Sequence, residues 1–244
     1  MTEISSTVVS CVQLLELISD GRRRRPRDLA EELGLSRSSV QRLLSTLEGR
    51  GLLARAEAGH VLSTRMRVMA DRIMPALRGV AFNAIRELAD DCRETVVLLV
   101  DDGPDAVVLD EAVPTTEHSV RARLAVGTRQ AAGGGAAAIV HLAHRDVAAR
   151  TRATRRRPDL AEAIARAREQ GWLLMRSPAG AEVTELAVPV LDEEERVLAS
   201  IAVLAPTVRA AGLERHVPLL VSHARRIARL HARSTRRDDE TRVH

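Results

Sequence analysis

Lysine and tyrosine are absent from this 244-residue chain, and Phe and Trp occur once each. All 37 basic residues are therefore Arg. With so few aromatics the core has to be built from Leu, Val, Ile, Ala and Met, and a platform of stacked rings for a planar ligand is disfavoured. Only Cys11 and Cys92 carry thiols, each within an apolar helical pattern. No Cys-x-x-Cys or Cys/His cluster is present, which excludes a disulfide framework and leaves no metal or other cofactor to expect. No apolar run approaches the roughly 20 residues that span a bilayer. The first residues lack the basic and apolar segments of a signal peptide. A cytoplasmic protein with no membrane partner is expected. Catalytic constellations are missing as well. There is no nucleophile–base spacing, and Ala132-Gly133-Gly134-Gly135 lacks the Lys and hydroxyl of a phosphate loop. No enzyme is expected.

What is present is an Arg excess and a strong apolar pattern. Apolar residues make up 45% of the chain, and the net charge is +4. Residues 1–75 hold 12 Arg against 9 acids, a net of +3; residues 76–244 hold 25 against 24, a net of +1. The guanidinium fork binds phosphate and guanine bidentately.

Periodicity predicts a helix over 5–19 with Val8, Cys11, Val12, Leu15 and Ile18 on one face. Gly21 and the run Arg22 to Arg25 break it, and Pro26 suits the first turn of a second helix. Leu29, Ala30 and Leu33 face inward there, and Gly34 closes that helix. Ser36 caps a third helix running to about Arg50, whose apolar stripe is Val40, Leu43, Leu44 and Leu47. Two short strands, 52–56 and 60–63, form a hairpin after it. This is the spacing of a winged helix-turn-helix. At 100° per residue the third helix turns Ser38, Gln41, Arg42 and Ser45 away from its apolar stripe, with Arg37 at the start. That polar, nearly acid-free face suits the major groove of duplex DNA. Gln41 matches adenine and Arg42 matches guanine or phosphate. Ser36, Ser38 and Ser39 can bond phosphate at the helix N-terminus. Arg27, Arg55 and His60 are further candidate contacts, the last two on the wing, and the run Arg22 to Arg25 is within reach of phosphate.

The chain divides by pattern into a DNA-binding domain (1–63), a linker helix (64–75), a sensor domain (76–233) and a charged tail (234–244). The sensor part reads as mixed α and β. Helices are expected at 76–91, in the later part of the Gly-Ala segment 131–143, at 159–170 and at 213–233. Strands are expected at 95–100, 106–113, 119–123, 172–176, 185–191 and 197–204. Ala131, Ala132, Gly133, Gly134 and Gly135 leave space and free backbone N–H groups before a helix, a place for a carboxylate. Leu99, Leu109, Val120, Val188 and Ser200 are candidate walls, though strand residues of this pattern are more often plain core. Arg121 is a candidate polar anchor beside Arg123 and His118. Glu185, with Glu182, favours a basic or hydroxyl-rich ligand if it points inward.

The chain resembles the isocitrate lyase regulator (IclR) family of bacterial transcription factors over nearly its whole length. The N-terminal likeness rests on Leu14-Leu15-Glu16-Leu17, Leu29-Ala30-Glu31-Glu32-Leu33-Gly34-Leu35-Ser36 and Val40-Gln41-Arg42-Leu43-Leu44. The C-terminal likeness rests on Glu94-Thr95-Val96-Val97-Leu98-Leu99, Arg168-Glu169-Gln170-Gly171-Trp172 and above all Leu186-Ala187-Val188-Pro189-Val190-Leu191-Asp192. The resemblance implies an α+β chain in which a linker helix joins a winged helix-turn-helix to a GAF-like α/β sensor domain. It implies a homodimer, often a tetramer on DNA, acting as a regulator, for example a repressor, controlled by a small-molecule effector such as an organic acid. A C-terminal domain that only oligomerises is the alternative. Three segments depart from the family pattern. The wing reads Gly59-His60-Val61-Leu62-Ser63 without its aromatic, the pocket helix opens with Gly135-Ala136 instead of Gly-Lys, and Glu182 and Glu185 stand where small residues are usual.

Overall fold

The computed structural model describes residues 4–57, 59–116, 118, 120–177 and 182–242, with side chains to 236. The chain forms two compact units, Met1–Pro75 and Ala76–His244.

In the first unit, α1 (Ser6–Ser19), α2 (Pro26–Leu33) and α3 (Arg37–Gly49) precede the hairpin β1 (Leu53–Ala56) and β2 (Gly59–Leu62), then α4 (Thr64–Ala70). Pro26 opens α2, where its missing N–H costs nothing, and the Asp28 carboxylate accepts the Arg25 N–H at 3.1 Å. Gly34 is left-handed (φ 63°), which lets the Leu35 N–H reach back to the Ala30 carbonyl at 3.0 Å and turns the chain toward α3. Leu14, Ile18, Leu29, Ala30, Val40, Leu44, Leu47 and Leu53 form the core. Leu14 and Leu44 are fully buried, so cutting either to Ala costs about 2–5 kcal/mol.

Two expectations change here. The buried residues of α1 are Leu14 and Ile18, whereas Val8 and Val12 stay 60% and 48% exposed. The apolar stripe of α1 is thus split between an inward face and an uncovered one. The helix expected over 64–74 ends at Ala70. Pro75 disfavours the helical region at the residue before it, and Met74 is left-handed (φ 44°).

The second unit is three-layered. Six strands lie in the order β5-β4-β3-β8-β7-β6, every neighbouring pair antiparallel. They are β3 (Thr95–Asp102), β4 (Asp105–Ala112), β5 (Arg129–Gln130), β6 (Leu173–Arg176), β7 (Val183–Leu191) and β8 (Val197–Pro206). One face packs on α5 (Pro75–Cys92) and α9 (Val217–Arg242), through Leu98, Leu186, Val188 and Ile201 against Leu88 and Leu220. The other packs on α6 (Ala136–Ala143), α7 (Val147–Arg156) and α8 (Leu160–Gln170), through Val97, Leu99, Ala187 and Ala202 against Ile139 and Ile164. A sheet covered on both faces needs continuous apolar strands, which explains the unbroken runs in β3 and β8. Pro189 sits within β7 beyond the last β6 pairing, Leu173 with Ala187, where β8 is the strand it pairs with. Burial pushes the Cys92 thiol up to about 12, leaving it unreactive; Cys11 is a half-buried free thiol.

The strand expected over 119–123 is not formed by the residues described there, and Ser119 lies outside them. Residues 120–125 run irregularly, held by side chains. Arg123 grips Glu111 at 3.0 and 2.5 Å, Arg209 donates to the Val120 carbonyl at 3.0 Å, and Arg121 donates to the Thr116 carbonyl at 3.0 Å. The edge of β4 is taken by β5 instead. Helix α7 has a single buried residue, Ala149, so apolar periodicity is silent about it. Its readable signal is the Asp146 cap, which accepts the Ala149 N–H at 2.6 Å. The last helix starts at Val217, after a short 3-10 turn, and continues to Arg242 through the segment expected as a tail.

Candidate nucleic-acid interface and ligand pocket

Ser36 caps α3 as its side chain accepts the Ser39 N–H at 3.1 Å; its hydroxyl also lies 3.0 Å from Ser38 and 2.9 Å from Ser39. With Val40, Leu44 and Leu47 locked inward, Arg37, Ser38, Gln41, Arg42 and Ser45 stand exposed along the outer side, and Ser39 is half-covered. Among the described residues no ion pair or side-chain hydrogen bond ties Arg37, Gln41 or Arg42, so their donors are free for a partner. That strip contains no acid. It is the part of the sequence-derived interface that the fold gathers into one surface.

The remaining expected contacts fare differently. Arg24, within the run Arg22 to Arg25, is spent on structure. It bonds Asp20 at 2.8 and 2.7 Å, Glu32 at 2.8 Å and the Leu17 carbonyl at 2.6 Å. Arg24 holds Asp20 down to about 2, chiefly through its hydrogen bond. Arg27 pairs with Asp28 at 3.0 Å and stays exposed. Arg55 on the wing lies 3.0 Å from Glu48, with its side chain largely in solvent. The His60 ring is covered to 9% exposure, and its Nε2 lies 3.7 Å from the same Glu48. The hairpin pairs Arg55 with His60, and the ring packs under it rather than reaching outward as expected.

In the second unit most of the expected pocket residues do not converge. Strand alternation sends Leu109 and Val188 to the α5/α9 face, while Leu99 is on the α6 face. Val120 is 61% exposed and Arg121 lies at the surface, because that segment is not a strand. Ser200 is fully buried between Leu99 and Pro189, its hydroxyl without a partner. Ala131 and Ala132 border a cavity of about 430 Å³, with Pro104, Leu142 and α7 completing its wall. Arg145, Arg152, Arg156 and Arg157 line it, and pattern reasoning missed all four. Arg145 is pinned by Asp101 at 3.1 Å and the Gly103 carbonyl at 2.8 Å, and Arg157 by Asp159 at 2.6 Å. Arg152 and Arg156, one turn apart on α7, have no ion pair among the described residues.

The Gly-Ala turn itself meets Glu185. A Cβ added to Gly135 would run into the Glu185 carboxyl group, so a larger residue there would force that side chain to move. Glu185 is 2% exposed. Burial pushes its carboxyl above the usual range, against the opposing pull of the Ser177 hydroxyl, the Ala137 and Ala136 N–H groups and the Gln130 amide.

Two family models cover this architecture. The bacterial transcriptional regulator IclR C-terminal model matches residues 75–229, and the IclR helix-turn-helix domain model matches residues 8–57. The chain belongs to the IclR family. This family member is 29% identical over 143 residues to the HTH-type transcriptional regulator KipR of Bacillus subtilis, covering 57% of this chain and 56% of that protein. It is 33% identical over 102 residues to the HTH-type transcriptional regulator Rv1719 of Mycobacterium tuberculosis, covering 41% and 39%. The aligned part thus spans about half or less of these curated relatives. Solved structures share the whole fold. An IclR regulator from Alicyclobacillus acidocaldarius has a TM-score of 0.76 at 20% identity, covering 94% of this chain and 100% of that one. An IclR homologue from Microbacterium hydrocarbonoxydans, complexed with 4-hydroxybenzoate, has a TM-score of 0.77 at 22% identity, covering 93% and 99%. No helix among the described residues is long and apolar enough to cross a membrane.

Proposed function

We propose that this IclR-family chain is a homodimeric repressor that reads an operator with α3 and responds to a small acidic metabolite bound by its second unit. The observation that carries the DNA reading is the exposed strip of Arg37, Ser38, Gln41, Arg42 and Ser45, acid-free and with its Gln and Arg donors unspent. Such a helix face supplies bidentate donors to base edges and phosphate. Dimerisation is supported by the uncovered apolar side of α1, with Val8, Val9 and Val12 between 40% and 60% exposed. A second copy offering the same face is the occupant that fits.

The effector is assigned to the cavity lined by Arg152 and Arg156, whose guanidinium groups have no ion pair among the described residues and suit a carboxylate, with the pinned Arg145 beside them. The relative crystallised with 4-hydroxybenzoate supports a small-molecule site in this architecture. Arg42→Ala is expected to weaken operator binding by about 1–3 kcal/mol with the fold intact. An Arg42→Ala protein with unchanged affinity and footprint would remove α3 from the reading surface. A second reading, in which the second unit serves assembly alone, is favoured by the filled space at the start of α6. Thermal melts against a metabolite library separate the two, because a true ligand raises apparent stability by mass action.

A further inference from the structure

The start of α6 combines two features that belong to a ligand site, yet a side chain of the protein occupies it. Gly135 leaves the first N–H groups of the helix open to approach, a place where helix geometry favours an acidic group. Glu185 rises into it from β7, 2% exposed, with its carboxyl next to the bare Gly135 backbone. No Arg or His forms an ion pair with it among the described residues; the Ala136 and Ala137 N–H groups face it, and its Oε2 makes no hydrogen bond of good geometry. Its polar neighbours, Ser177 and Gln130, are uncharged and themselves buried, and the Gln130 Oε1 is likewise unpartnered. A buried carboxyl without a cation is costly to keep, and packing alone does not account for one.

We propose that Glu185 is the specificity-determining residue of the sensor unit. Its carboxyl group takes the position that a small carboxylic acid would fill at the start of α6, closing that slot to acidic ligands and leaving them the outer, arginine-lined cavity among the described residues. The inference rests on the reading of the second unit as a sensor, and it goes beyond that reading by naming the ligand class the inner slot rejects.

Glu185→Ala removes a fragment the size of acetate. Sodium acetate or formate is expected to raise the melting temperature of Glu185→Ala by about 3–6 °C at ten times the dissociation constant. Equal ionic strength of sodium chloride, and acetamide, should not. The wild type and Glu185→Gln, which both keep the slot filled, should show a clearly smaller acetate effect, that of the outer cavity alone. Glu185→Ser carries the same expectation as Glu185→Ala should the latter not fold. A double-mutant cycle checks the contact directly. Gly135→Ala should lower the melting temperature of the wild type and cost much less in the Glu185→Ala background. Acetate acting equally on wild type and Glu185→Ala, no rescue of either cavity variant, or an equal cost of Gly135→Ala in both backgrounds would each overturn the proposal. Failure of the sensor reading looks different: operator affinity would ignore every metabolite while the acetate rescue persisted.

Discussion

Arg24 and Arg42 carry the same guanidinium group and are given opposite tasks by their surroundings. Arg24 is gripped by Asp20 and Glu32, whereas Arg42 projects from α3 without a partner. Arg24→Ala should therefore loosen the first unit, and Arg42→Ala should leave its stability unchanged. The pair also sets an acid limit. Asp20 is held near 2, below its ordinary 3.8, so between those values the unfolded chain binds more protons than the folded one. The stabilisation from this carboxylate is complete above about pH 4 and is lost as pH falls toward 2. Acid titration of unfolding should show that slope reduced in Asp20→Asn. Ser36→Ala should cost about 1 kcal/mol, read from denaturant midpoints, because the Ser39 N–H loses its acceptor. The roles of Ser36 and Gly34 were legible in the chain order, since caps and turns are local chemistry. The difference between Arg24 and Arg42 was not, because it depends on which acids the fold brings near.

At the scale of the element, α1 carries one apolar pattern that serves two faces. Leu14 and Ile18 close the core, and Val8 and Val12 remain outside it. Sequence periodicity identifies apolar positions but not which neighbour covers them. Val8→Asp with Val12→Asp should shift the protein toward monomer in sedimentation velocity while keeping its helical signal. An unchanged dimer would place the interface elsewhere. Helix α7 illustrates the converse difficulty. It offers the core only Ala149, with Ala153 partly buried beside it, and only the Asp146 cap announces it. The expected strand over 119–123 failed for a related reason. Alternation of Arg121 and Arg123 around buried Ala122 resembles a strand, but β4 pairs with Arg129–Gln130.

At the scale of the molecule, the proposed regulation by an effector requires that effector and operator favour different arrangements of the proposed dimer. The segment from Thr64 to Pro75, with its short α4 and left-handed Met74, is the route along which the two units are linked. Saturating effector is expected to change operator affinity by about 5–150-fold, measured by fluorescence anisotropy. Arg152→Ala with Arg156→Ala should abolish that response while leaving effector-free operator binding intact. Arg37→Ala should weaken binding to all duplexes alike and reduce the salt slope by about one, if it neutralises a phosphate.

The amino-acid order alone determined the winged helix-turn-helix, the polar outer face of α3, the apolar strands and the two-part organisation. Each follows from spacing within a turn, a cap or a strand, where neighbours in sequence are neighbours in space. Tertiary structure decided which arginines are left free, that His60 turns inward, and that Glu185 meets Gly135. Those outcomes depend on how β7 registers beneath α6 and how the hairpin packs against α3, contacts between segments distant along the chain that no local pattern encodes.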